Sequence, residues 1–284
     1  MRSNSLALGD RNYEGKYNRL MIAGDGTITN SDVNKIYCAG DLTISKSTIG
    51  KLKFAGDLNA NTVTFKEVRG AGDANFEGVC NADKMIMIGD VSCEMLECRI
   101  LQNGASSEKV KINSNSIPTW RGIFKGETFE NFRNLVIDGD LEFNNIILSS
   151  PLSIQREISC DKFYLLTGMS IDCINSEYTF ILATSNINID LVTGTNVEIK
   201  KEFRPDKNFK SIFKNGKYGY KFSDNSIANI NHIEADNIYV ENTKCSSVCG
   251  VNVIIGDLCI IDRVEYQDSI EISSKALVNE VVKV

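Results

Sequence analysis

The chain has 284 residues, 42% of them hydrophobic and 24% charged, which supports a real core beneath a solvated exterior. A net charge of −6 and a pI near 5.1 argue against general nucleic-acid binding. The opening MRSNSLALGD is too short an apolar run for a signal peptide, and the most apolar later stretch, VNVIIGDLCII at 251–261, is too short to span a membrane.

Residues 1–20 hold a degraded repeat, LALGDRNYEGKYNRL, expected to form a first rung or a cap. From 21 to 92 a short phrase then recurs as MIAGDGTI, YCAGDLTI, KFAGDLNA, RGAGDANF and MIGDVSC. Its Gly-Asp pairs are Gly24-Asp25, Gly40-Asp41, Gly56-Asp57, Gly72-Asp73 and Gly89-Asp90, at steps of 16, 16, 16 and 17. A later copy is read at Gly139-Asp140, 50 residues beyond Gly89, or three steps of nearly 17. Alternating apolar residues on either side of each pair predict strands. The Gly permits a backbone corner and the Asp closes it by accepting backbone N–H bonds. A helix is disfavoured by the recurring Gly-Asp and by the Thr, Val and Ile between. One such unit cannot bury its own apolar face, so units must stack. The expected fold is all-β, a parallel β-helix with rungs of about 16–17 residues at the ordinary strand spacing of about 4.8 Å.

Regular rungs are expected over 1–100. Residues 101–134 break the pattern with Pro118, Gly122, Gly126 and the only Trp, Trp120, and are read at least in part as a lateral loop or irregular rung. Rungs resume over 135–199. Residues 200–224 form a second interruption, with eight Lys/Arg against three Asp/Glu and six of the 23 aromatics. Strands return over 225–284. The three prolines, Pro118, Pro151 and Pro205, suit strands that pair on both edges.

The stacked aspartates admit two readings: a calcium ladder, or corner-capping carboxylates, which the turn chemistry favours. The nine cysteines include no C-x-x-C and are expected to be reduced, with Cys38, Cys93, Cys173 and Cys259 in core-like contexts. His232 is the only histidine, which leaves a Cys/His zinc site or a histidine base few candidates. The stretch GAGDANFEG at 70–78 lacks the Lys-Ser/Thr of a phosphate loop and reads as a rung. No catalytic or metal-binding residue, and no cofactor, is assigned. In the basic insertion, Phe203, Arg204, Phe209, Lys210, Ile212, Phe213 and Lys214 are candidates for contact with anionic lipid or a partner. The competing reading is a solvated loop whose aromatics pack back on the rungs.

The closing segment HIEADNIYVENTK…VCGVNVIIGDLCIIDRVEY, with the Gly-Asp rungs before it, resembles the bactofilin-like polymer-forming cytoskeletal proteins, in their long Gram-positive branch. In the corner where that family often has a second small residue, Leu42, Leu58 and Ala74 stand here, and Asp257-Leu258 precedes Cys259 in place of Pro-Gly. The resemblance implies a right-handed β-helix that associates end to end into filaments without nucleotide. The terminal rungs would template further strands. Candidate self-association residues are Leu6, Leu8, Leu20 and Ile22 in the first, and Ile270, Ile272, Val278, Val281 and Val282 in the last. The expected protein is thus a non-enzymatic cytoplasmic scaffold subunit, peripheral at the membrane if the basic insertion docks there. The alternative is a monomeric module presenting that insertion to the inner membrane surface or envelope proteins. A carbohydrate-active β-helix enzyme is ranked last, because fold alone does not confer that activity.

Overall fold

The computed structural model describes residues 3–104, 117–184, 186–205, 207–212, 220–221 and 226–284. It divides into two compact units, Met1–Phe143 and Asn144–Val284. Each is a parallel β-solenoid, and the fold is consistent with a right-handed parallel β-helix.

The first unit runs through β1 (Ser3–Leu8), β2 (Arg11–Ala23), β3 (Gly26–Ala39), β4 (Leu42–Ala55), β5 (Leu58–Ala71), β6 (Ala74–Glu77), β7 (Cys80–Ile88), β8 (Val91–Asn103) and β9 (Thr119–Asn131), and ends within β10 (Leu135–Leu148). In β3 the buried residues are Gly26, Ile28, Ser31, Val33, Ile36 and Cys38, so inward positions are spaced two, three, two, three, two. Strict alternation would need twos throughout. The two extra residues are bends, and with the Gly-Asp corner they give three bends per coil. Inward residues stack in register from coil to coil, as in Val33, Ile49 and Phe65 or Ile36, Leu52 and Val68. Large side chains sit over small ones: a Cβ on Gly70 would lie 2.2 Å from the Phe54 ring.

The bend after the second inward residue is made by Asn30, Lys46 and Thr62, with φ of 48°, 47° and 58°. Left-handed conformations in residues with a Cβ carry strain of roughly 1–2 kcal/mol each. Buried serines support this bend. Ser31 Oγ accepts from Gly15 N–H at 3.1 Å and Ser47 Oγ from Ser31 N–H at 3.0 Å. Gly78, φ 62°, takes the position next, and the exposed Val79 beside it is the extra residue that makes this one step 17.

Part of the 101–134 interruption is a full coil: β9 pairs with β8, Val91 opposite Trp120 and Leu101 opposite Phe129, with a register shift between Ser92 and Met95. Trp120, Phe124 and Phe129 are fully buried. Residues 105–116 lie outside the described part of the chain.

The second unit contains the end of β10, then β11 (Leu152–Ile154), β12 (Ile158–Leu165), β13 (Ser170–Leu182), β14 (Asn188–Lys200), β15 (Glu202–Phe203), the short helix α1 (Lys207–Ile212), β16 (Tyr220–Lys221), β17 (Ala228–Val240), β18 (Thr243–Ile255), β19 (Ile260–Ile272) and β20 (Leu277–Lys283). Aliphatic columns again form the core, one running Ile174, Val192, Ile233, Val248, Val264 and Val281. β14 pairs with β17 across the basic insertion. Within that insertion β15 and β16 form a small antiparallel pair.

Candidate functional site

The Gly-Asp corners form one continuous hydrogen-bonded ladder. Asp25 Oδ1 accepts the N–H of Asp41 at 3.0 Å, Asp41 that of Asp57 at 2.9 Å, and Asp57 that of Asp73 at 3.2 Å. Asp73 accepts from Asp90, and Asp90 Oδ1 takes the N–H of Thr119 at 2.8 Å. Each carboxylate is thereby engaged with the backbone of the next coil, which supports the corner-capping role. No group of three or more His, Cys, Asp or Glu among the described residues is placed to hold a metal ion.

Gly139-Asp140 does not continue this column. A Cβ on Gly139 would meet the Gly122 carbonyl at 2.0 Å, and one on Gly122 would meet the Cys93 carbonyl. Cys93 is in register with Phe76, so Gly139 belongs to the column of Phe76, Cys93 and Gly122, on the first face of the coil. The 50-residue interval is not a whole number of corner-to-corner steps, because residues intervene between β8 and β9.

The self-association candidates separate into three groups. Leu20 and Ile22 are buried because β1 lies over them, Leu20 opposite Ser5 and Ile22 opposite Ala7, so they form core and not a terminal face. Leu6 and Leu8 are exposed but pair with Met21 and Ala23 on the outer side of the coil. Val282 likewise faces outward, in register with Glu265. Ile270, Ile272, Val278 and Val281 do continue core columns, those of Val253, Ile255, Ile261 and Val264. Ile272 is 42% and Val281 45% exposed, where their partners one coil earlier are about 1% or less.

The basic insertion is held by its aromatics. Phe203 and Phe209 are buried, 4.9 Å apart by ring centroid; Phe203 is 4.9 Å from Phe180 and Phe209 4.9 Å from Tyr164. Tyr164 and Phe180 are register partners on the outside of β12 and β13. Phe203 and Phe209 are therefore not lipid-facing, as one reading of the sequence had them. Burying them against two outward aromatics is the stronger use of their apolar area. Arg204 and Lys210 are exposed, the side chain of Ile212 is not described, and Phe213 and Lys214 lie outside the described residues. Among the described residues no helix is long and apolar enough to cross a membrane.

Where this segment meets the outer faces of β12–β14 there is an open groove of about 710 Å³. Aromatic rings form its floor, and Tyr178 leans on Tyr164 at 5.7 Å. Among the described residues three carboxylates line it, each engaged: Glu198 with Lys200, Glu202 with Arg204, and Glu241 with the N–H of Lys201 at 3.1 Å. Sequence reading missed this groove because its walls come from four separate stretches. The one available sign was the outward-facing position of Lys162, Tyr164, Tyr178 and Phe180, which depends on register.

All nine cysteines are free thiols, five of them buried: Cys38, Cys80, Cys98, Cys245 and Cys259. Burial pushes Cys98, Cys160 and Cys245 up to about 12, and Cys38, Cys93 and Cys259 to about 11. Thiols so raised are not poised as nucleophiles at neutral pH. A thiol raised on folding contributes stability that is complete below its unfolded pKa and is lost as pH rises through that value toward the folded one. Urea midpoints are therefore expected to fall from about pH 8.5 upward, with a shallower fall in Cys98→Ala than in the parent. Equal slopes would show that other groups control the alkaline limb. His232 is exposed on the outer side of β17, between Leu191 and Ser247.

No protein-family model, curated protein or solved structure matches the chain.

Proposed function

We propose that the protein is a structural subunit, bactofilin-like, whose β-solenoid adds to further copies end to end without nucleotide. The observation that carries this reading is the last coil. Its core columns stand half uncovered at Ile272 and Val281, beside the edge of β20, which pairs with β19 on one side and with no described strand on the other. An apolar strand edge of this kind templates another strand. On this reading the protein is a cytoplasmic scaffold that needs no catalytic residue.

Negative-stain electron microscopy of the chain at micromolar concentration, without nucleotide or metal, tests it. Filaments of uniform width are expected, and Val281→Lys should abolish them by placing an ammonium in the contact. Discrete particles at every concentration, or filaments unaffected by Val281→Lys, would overturn the assignment of this end.

A further inference from the structure

The groove beside the basic insertion combines an aromatic floor with two kinds of charge, and we propose that it binds an anionic sugar: a pyranose-sized ring carrying a carboxylate or a phosphate. Its volume falls within the range of about 300–1,000 Å³ in which small ligands are held. Among the described residues the lining carries four cations, Lys162, Lys200, Lys201 and Arg204, against three carboxylates, a net of +1 in a chain of −6. Lys200 and Arg204 are already committed to Glu198 and Glu202. Among the described residues no carboxylate forms an ion pair with the ammonium of Lys162 or Lys201; Lys201 bonds Glu241 only through its backbone N–H and lies in the field of Asp257, so these two are the charges least committed elsewhere.

The engaged carboxylates decide the rest of the ligand. Glu198 and Glu241 are fixed by their own partners and, as carboxylates, can still accept from hydroxyl donors. A net of +1 neutralises little of a polyanion, which disfavours nucleic acid. A bilayer needs aromatics at the rim, and the insertion's aromatics whose side chains are described, Phe203 and Phe209, are turned inward. Half-buried Tyr178, steadied against Tyr164, offers a ring for the apolar face of a sugar. Binding at this place is independent of assembly at β20.

Isothermal titration calorimetry of the full chain with D-glucuronate, D-glucose 6-phosphate, D-glucose and inorganic phosphate tests the proposal. At least one anionic sugar should bind saturably and about tenfold or more tighter than glucose or phosphate alone, and which of the two does so identifies the anion. The double variant Lys162→Gln/Lys201→Gln should weaken that ligand by about tenfold or more, as expected for loss of charge-assisted bonds. Tyr178→Leu, which keeps a side chain against Tyr164, should weaken the sugar more than it weakens phosphate. Phosphate binding as tightly as the sugars, undiminished binding in the double variant, or no binding of any probe would each overturn it.

Discussion

Gly56→Ala is expected to destabilise the first unit by about 3–5 kcal/mol, a large loss for adding one methyl group. Two causes combine. Gly56 has φ of 130°, a region that residues with a Cβ rarely enter, at a cost on the order of 1–3 kcal/mol. A Cβ there would also lie 2.5 Å from the Gly40 carbonyl oxygen and 2.7 Å from its carbon. Neither coil can retreat, because Gly40 N–H donates to Ala55 at 2.9 Å and Gly56 N–H to Ala71 at 3.1 Å. Gly9 separates the two causes: φ is 92°, but nothing lies within 4 Å of its would-be Cβ. Gly9→Ala should therefore show the backbone strain alone. Urea unfolding followed by Trp120 emission reports on the first unit, since Trp120 is the only tryptophan and lies within it. Similar losses for the two variants would mean that the corner stack is not sterically closed.

Trp120→Ala should cost a similar amount, about 3–5 kcal/mol, for a different reason. The ring is fully buried, 5.6 Å from Phe124 and 6.1 Å from Phe129 by centroid, and its Nε1–H donates to the Gly89 carbonyl at 3.1 Å. Truncation leaves a cavity between two coils and removes the bond to Gly89. Trp120→Phe keeps most of the packing and should lose about 1–2 kcal/mol, chiefly the hydrogen bond and residual volume. Circular dichroism gives the midpoints, because the alanine variant has no tryptophan to observe. A loss below about 1 kcal/mol for Trp120→Ala would show that β9 is not integral to the unit.

Much of the coil was legible in the residues. The Gly-Asp step located one corner of every early coil, and the aspartates proved to bond backbone N–H groups, one coil farther along than the turn chemistry alone implies. The bend at Asn30, Lys46 and Thr62 was hidden, because three different side chains share a conformation that glycine usually signals. β9 was hidden for a related reason. Gly122 and Gly126 resemble loop residues, yet a Cβ on either would strike the carbonyl of Cys93 or Cys98 in the coil beneath. Leu20 and Ile22 were misplaced because the sequence does not show that β1 folds over them. For Phe203 and Phe209 the sequence left lipid contact and packing back on the rungs both open, and only the register of Tyr164 and Phe180 shows what they cover.

The 16-residue step also shapes how the chain can acquire its structure. Partners in the aspartate and serine ladders are almost all 16 residues apart, so each coil closes a loop of the same modest length onto a template already wound. Loop-closure entropy is then nearly constant per coil, and contacts stay local for an all-parallel sheet, a topology otherwise slow to form. Two closures are longer, about 30 residues between β8 and β9 and 41 between β14 and β17. Each doubling of loop length adds only about 0.6 kcal/mol, so these are the slower steps of winding without being prohibitive ones. Nucleation is free to begin at several coils and spread to neighbours, and every partly wound chain presents an edge much like that of the finished molecule.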